Sequence, residues 1–238
     1  MTLPLKLNLT LFDLDHTLLP LDSDYAWGEF TTTIGWTDPL EFARRNDEFF
    51  AQYKAGTLDI HDYVRFATAA LCHQGEVNSA AAHQKFMQLV IQPAITPQAL
   101  ALVQRHQAQG DTVLMVTATN EFVTRPIATA FGVDELIAVQ LARHRTPAGQ
   151  GWYNGEIEGV PSVREGKVTR MQHWLAARGI GWDDVESTFY SDSMNDLPLL
   201  ERVNHPVATN PDDRLRQIAT TRGWRILDLF GTPEASQN

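Results

Sequence analysis

The chain has 238 residues, 43% apolar and 20% charged, a soluble globular balance that excludes disordered and fibrous classes. Its net charge of −10 repels nucleic acid phosphates and anionic lipid, so neither is an expected partner. The single cysteine, Cys72, excludes an intramolecular disulfide framework and a cysteine-rich zinc site, and fits a reducing compartment. No apolar run approaches the roughly 20 residues of a membrane helix, and no signal-peptide core opens the chain. The expectation is a soluble cytoplasmic protein with no membrane partner; oligomeric state is left open.

Residues 7–12 read as a first strand, which ends abruptly in Asp13-Leu14-Asp15. From Pro20 to about Ile95 the character is helical. Asp38-Pro39-Leu40-Glu41 supplies an N-cap, a first-turn proline and a capping-box acid, and Gly56 closes that helix. Asp59 starts another, with Ile60, Tyr63, Val64, Ala67 and Leu71 at helical spacing and Gly75 at its end. A third helix runs from Ala80 to about Val90 and stops before Pro93.

From Thr96 the pattern alternates. A helix capped by Thr96-Pro97 ends at Gly110, and residues 112–116 form a short buried strand. A helix near 121–131, a strand near 136–141 and a hairpin around 152–157 follow. A helix over 166–178 leads to a strand at 187–190, and segments 196–202, 206–208, 212–220 and 224–229 complete the alternation. Such short units predict an α/β fold: a doubly wound, Rossmann-like parallel sheet. Residues 1–19 and 96–238 would form this core, interrupted by an all-helical cap over residues 20–95. That insert holds 11 of the 22 aromatic residues, expected to make its own small core. The tail, 232–238, is expected to fray.

Ligands of open α/β sheets bind outside the carboxyl ends of the strands, so polar groups there carry most weight. Asp13 and Asp15 are two apart at the end of an extended segment, an arrangement that aims both side chains the same way. Bare carboxylates that close repel, and a hard divalent cation such as Mg²⁺ removes the conflict. Asp192 supplies a further carboxylate from another strand end, and Asp196, one helical turn on, steadies the ligands from behind. Thr117 follows strand two, and Lys167 opens a helix, where the helix dipole offers a cation nothing. This set suits phosphoryl transfer. Asp13 would attack phosphorus, and Asp15 would protonate the leaving oxygen and then activate water. Thr117 would bond a phosphoryl oxygen while Lys167 and Mg²⁺ neutralise charge.

Phe12-Asp13-Leu14-Asp15-His16-Thr17-Leu18 resembles the first motif, Asp-x-Asp-x-Thr, of the haloacid dehalogenase-like (HAD) hydrolases. Val116-Thr117 resembles the second, Lys167 the third, and Asp192-Ser193-Met194-Asn195-Asp196 the fourth, with serines 191 and 193 where the family often has glycine. The helical insert after the first motif resembles the branch containing phosphoserine phosphatases. The resemblance implies an aspartyl-phosphate mechanism, with Mg²⁺ held by Asp13, Asp192 and the backbone carbonyl of Asp15. Asn195 and Asp196 would stand behind these ligands. It also implies substrate contacts from the cap. Asp22 is the candidate for a substrate ammonium, and Arg65 is the nearest arginine for a substrate carboxylate.

The expected function is hydrolysis of a small phosphorylated metabolite, phosphoserine or another such as histidinol phosphate. The alternatives are transfer of the phosphoryl group to an alcohol and a non-catalytic phospho-aspartate switch. Asp15 argues against the switch, and also against metal-free dehalogenation. The histidines form no paired zinc motif, His16 reads as a lining or exposed side chain, and Cys72 as a core residue. No Gly-x-Gly-x-x-Gly follows the first strand, which argues against a dinucleotide enzyme.

Overall fold

The computed structural model describes residues 6–55, 57–147 and 149–231; Gly56 and the 232–238 tail, both subjects of expectations, lie outside the described residues. Six parallel strands form one sheet in the order β3-β2-β1-β6-β7-β8. They are β1 (Leu7–Phe12), β2 (Thr112–Asn120), β3 (Glu135–Val139), β6 (Val185–Ser191), β7 (His205–Thr209) and β8 (Arg225–Leu227). Between β1 and β2 the chain makes the helices α1 (Ser23–Thr33), α2 (Pro39–Ala55) and α3 (Ile60–Phe86). A π turn (Met87–Ile91), the short α4 (Gln92–Ala94) and α5 (Pro97–Ala108) return it to the sheet. After β2 come α6 (Glu121–Ala130) and, beyond β3, an antiparallel hairpin of β4 (Leu141–Thr146) and β5 (Gly149–Ile157). The helices α7 (Glu165–Ala176), α8 (Leu197–Leu200) and α9 (Asp213–Arg222) link the remaining strands. This is the doubly wound core with an inserted helical cap that the alternation predicts.

Side chains alternate across the sheet, so each strand feeds two cores. Phe12, Val113 and Met115 pack against Leu102 and Val103 of α5 and Val123 and Ile127 of α6. Leu9, Leu11, Leu114 and Val116 point the other way, toward Met171 and Leu175 of α7, Leu199 of α8 and Leu215 of α9. Burying each such side chain stabilises the fold by roughly 1.5–3 kcal/mol.

The structure redraws several local boundaries. Gly75 ends the second cap helix as expected, with φ +76°, a backbone state that glycine takes without steric cost, but the third helix starts directly after it rather than at Ala80, so the two follow one another within Ile60–Phe86. The segment expected as one strand near 136–141 splits: β3 joins the main sheet and Leu141 begins the separate hairpin. The cap's aromatic residues divide between a small core of its own and the face toward the main domain. Phe42, Phe49 and Phe66 pack within the cap, with centroids 5.2–5.7 Å apart. Trp27, however, lies 5.3 Å from Phe86 and 5.5 Å from Phe122 of α6, so one aromatic cluster spans cap and core. The hairpin also braces α3, with the Trp152 indole donating to the Leu71 carbonyl (2.8 Å). Cys72 is half-buried at this junction.

The ladder fixes where the chemistry gathers. Phe12 pairs with Met115 on one side and Tyr190 on the other, and the Asp13 N–H extends the ladder to the Tyr190 carbonyl at 2.9 Å. The crossovers from β1 and β6 leave on opposite faces, so a crevice opens beyond the carboxyl ends of these two strands.

Candidate active site

Asp13 stands at the end of β1 and is 7% exposed. The chain then turns tightly. The N–H groups of Thr17, Leu18 and Leu19 all donate to the Leu14 carbonyl, and Leu14 is itself fully buried. His16 takes a positive φ of 57° in this turn and points to solvent, as expected. The turn folds Thr17 back beneath the strand ends. Its hydroxyl donates to Asp192 Oδ1 (2.9 Å), lies 3.3 Å from Asp13 Oδ2, and accepts from the Asp192 N–H (3.1 Å). One hydroxyl therefore ties the end of β1 to the end of β6.

Lys167, in the first turn of α7, is 2% exposed and reaches two carboxylates: Asp13 Oδ1 at 2.8 Å and Asp196 Oδ2 at 2.7 Å. Burial opposes its charge, but Asp13 and Asp196 outweigh that and hold the ammonium well above the usual lysine range. Asp196 lies in a short 3-10 turn rather than one α-helical turn from Asp192, and it also accepts from the Ser191 hydroxyl at 2.7 Å. Burial pushes its carboxyl up to about 6, against the pull of Lys167. Burial, and then the charge of Asp13, also raises the Asp192 carboxyl well above the ordinary range.

Asp15 is held from two other directions. Its Oδ1 accepts from the Ser23 N–H of α1 (2.8 Å) and its Oδ2 from the Thr119 hydroxyl of β2 (2.8 Å). Burial, and then the charge of Asp22, raises its carboxyl well above the ordinary range. Thr117 is buried on the same strand, its hydroxyl accepting from the Thr119 N–H at 3.1 Å.

Asp15 and Asp192 thus lie within electrostatic reach of Asp13, and Lys167 bonds Asp13 and Asp196. Such a surplus of hard oxygen donors fits a divalent cation of the Mg²⁺ type. Among the described residues, no three His, Cys, Asp or Glu side chains form a ready-made metal cage. Asp13 and Asp192, bridged by the Thr17 hydroxyl, are hard oxygen donors of the kind Mg²⁺ accepts.

A model of the haloacid dehalogenase-like hydrolase family matches residues 10–201, which include every one of these side chains. The chain belongs to that family. Histidinol-phosphatase from Neisseria meningitidis serogroup C (strain 8013) is 41% identical over 223 residues, covering 93% of this chain and 99% of its own. A crystal structure of a protein of unknown function from Bordetella pertussis Tohama I is 50% identical. It superposes with a TM-score of 0.88 over 94% of this chain and 100% of that one. A substrate-bound phosphoserine phosphatase shares the fold, with a TM-score of 0.65 over 93% of each chain at 16% identity. The chain is a phosphatase of the haloacid dehalogenase-like family.

In this HAD phosphatase the residues expected from the cap fare unevenly. Asp22 is exposed and serves as the N-cap of α1, accepting from the N–H groups of Asp24 (3.0 Å) and Tyr25 (2.9 Å). Arg65 is not brought to the site. It is exposed and turned toward the hairpin, bonding Glu156 at 2.8 Å and Asp62 at 2.7 Å. Its helical register points it outward, which a count along the sequence did not resolve.

Four site neighbours were not expected. The Ser23 main-chain N–H leaves no sequence signal at all. Thr119 lies two residues after Thr117, on the same face of the strand, and that spacing was the available clue. Asp24 is 7% exposed and bonded by the Asn120 amide (3.0 Å) and by the Tyr63 hydroxyl. Burial, and then the charge of Asp22, pushes its carboxyl up to about 7. Tyr53 of α2 places its hydroxyl 3.4 Å from Ser193 Oγ, joining the cap to the loop that carries Asp192 and Asp196.

Proposed function

We propose that this enzyme hydrolyses a small phosphomonoester through an aspartyl-phosphate on Asp13, with Mg²⁺ held by Asp13, Asp192 and the Asp15 carbonyl. The observation that carries the reading is the Lys167 contact with Asp13 inside a buried carboxylate cluster that one lysine does not neutralise. A bound Mg²⁺ supplies the missing positive charge to the phosphoryl oxygens and the surrounding carboxylates.

In the first step an Asp13 oxygen bonds phosphorus while the ester P–O bond breaks, and Asp15 gives its proton to the leaving oxygen. In the second, water attacks phosphorus, its proton passes to Asp15, and the Asp13–phosphorus bond breaks to release inorganic phosphate. Lys167 keeps one Asp13 oxygen oriented and meets charge on the equatorial oxygens. Thr117 donates to a phosphoryl oxygen, and Asn195 and Asp196 hold the ligands and Lys167 in place. Ser23 and Thr119 fix the Asp15 carboxyl by two hydrogen bonds.

We take residues 20–95 as the cap and residues 1–19 and 96–238 as the catalytic core, working on a small metabolite in the cytoplasm. The cap favours a cationic substrate. Asp15, Asp22 and Asp24 all lie within electrostatic reach of the Tyr63 hydroxyl. Arg44 and Arg65 instead pair with Glu41 and Glu156, so a substrate carboxylate finds no free partner in them. An amino-alcohol phosphate such as histidinol phosphate fits this better than phosphoserine, and the 41% identical relative bears that name. The test is phosphate release from histidinol phosphate, phosphoserine and an aryl phosphate, each with Mg²⁺ and with chelator. Histidinol phosphate should give the highest kcat/KM, with activity lost on chelation. Chelator-resistant turnover contradicts the mechanism, and a preference for phosphoserine contradicts the substrate.

A further inference from the structure

Arg164 occupies a backbone position that its side-chain type disfavours. Val163 to Gly166 form a tight turn closed by the Gly166 N–H donating to the Val163 carbonyl at 2.8 Å. Arg164 is the first central residue, with φ 52° and ψ −122°. That is the first central conformation of a type II′ turn, where glycine is the usual occupant because a Cβ is strained there. The turn's own glycine is committed elsewhere: a Cβ on Gly166 would stand 2.0 Å from the Pro161 carbonyl oxygen. The next residue is Lys167, whose N–H donates to the Arg164 carbonyl at 3.0 Å as α7 begins.

A strained arginine persists where its side chain does something that glycine cannot. The side chain runs to the site. Its Nε donates to Asn195 Oδ1 at 3.2 Å, in the loop between Asp192 and Asp196. The arginines at 44, 65, 178, 216 and 222 all pair with carboxylates. Among the described residues Arg164 has no carboxylate partner, although Asn195, which it bonds, directly precedes Asp196. Its terminal nitrogens, a planar fork suited to phosphate oxygens, make no hydrogen bond among the described residues, while its Nε is fixed on the loop that carries Asp192 and Asp196.

We propose that Arg164 binds the phosphoryl group, taking a non-bridging oxygen from the side of the Asn195 loop while Lys167 acts from the other. This rests on the phosphatase reading and adds to it a phosphoryl-binding residue outside the four motifs. The strain at the turn holds the guanidinium in place before substrate arrives.

The variants Arg164→Gly and Arg164→Lys separate this role from a structural one. Glycine relieves the backbone, so Arg164→Gly should melt at or above the parent's temperature. It should also raise KM for an aryl phosphate, and weaken calorimetric affinity for inorganic phosphate, by about tenfold or more, with kcat changed by less than about threefold. Arg164→Lys, which keeps the charge and loses the fork, should fall between. Unchanged KM and phosphate affinity in Arg164→Gly overturn the proposal, and so does a lower melting temperature with both unchanged, the mark of a tether. A defect confined to phosphoserine also overturns it, because the arginine would then serve a carboxylate. A parent that binds phosphate but cleaves no phosphomonoester contradicts the phosphatase reading, and the affinity arm still decides the role of Arg164.

Discussion

Strands β1 and β6 each contribute to two buried polar networks of opposite character. On one face of the sheet, His106 bonds Asp111 through Nδ1 (2.6 Å) and the Tyr190 hydroxyl through Nε2 (2.8 Å), and Thr10 donates to the same Asp111 carboxylate at 2.9 Å. That network has one carboxylate and one imidazole, and both ring nitrogens of the imidazole have partners. At the carboxyl ends of the same strands lie Asp13, Asp15, Asp192 and Asp196, and one lysine bonds two of them, Asp13 and Asp196. A cavity of about 540 Å³ adjoins the first network, lined by residues including His106, Tyr190 and Arg225. No residue of the carboxylate cluster lines that cavity. A polar cluster whose hydrogen bonds and charges already close within the protein holds the fold together. One left with excess charge of a single sign is completed by a ligand, and the cost of assembling it is met by the surrounding fold.

Substitutions in the two networks should break activity and stability in opposite proportion. The largest effect on activity is expected for Asp13→Asn, which removes the proposed nucleophile. Aryl phosphate turnover should fall at least about 10³-fold while the far-ultraviolet circular dichroism stays that of the parent. Lys167→Met should damage both properties, because Asp13 and Asp196 are left buried without their cation. A loss of about 3–5 kcal/mol in denaturant unfolding is expected, with turnover down about 10²-fold or more. A mild effect on both would mean that the cluster is already neutralised by other means.

Asp24→Asn sharpens the comparison through pH. Asp24 lies against Asp22, Tyr63 and Asn120, and its carboxyl is raised from 3.8 to about 7 in the folded protein. Between these values the folded state keeps a proton that the unfolded chain has lost, so this group's contribution to stability declines as pH rises from about 4 to 7. The variant should therefore melt several degrees above the parent at pH 8 and level with it near pH 4. It should also lose more kcat/KM on histidinol phosphate than on an aryl phosphate that lacks an amino group. Equal losses on the two substrates would assign Asp24 to cap packing alone. The smallest effect on activity is expected for His106→Leu. Asp111 and Tyr190 lose a partner, which costs about 1–3 kcal/mol, while kcat/KM stays within about twofold.

The sheet and the four motif segments were legible because each has a local signature. The first strand stops at Asp13, the alternation sets the parallel order, and Lys167 is one of only four lysines in the chain. The cap was legible as helices but not as contacts. Whether Arg65 faces the substrate or Glu156 depends on the rotation of α3 after packing, and on a hairpin 91 residues away in sequence. Ser23 acts through its main chain, which any residue supplies, and Trp27 bonds the cap's interior to Phe122 only once the insert has folded back. Arg164 was hidden for another reason. Its signal is a φ value, and a sequence carries that only when the residue is glycine.

Trapping the phosphoryl-enzyme tests the central claim most directly. Asp15→Asn removes the group that activates water while leaving Asp13 in place, so the intermediate should accumulate. The variant, mixed with an aryl phosphate and Mg²⁺ and quenched in acid, would be digested and analysed by mass spectrometry. The account predicts one phosphoryl group on the peptide containing Asp13, absent from the Asp13→Asn, Asp15→Asn double variant. A phosphoryl group on any other residue, or full turnover by the single variant with no covalent species, would contradict it.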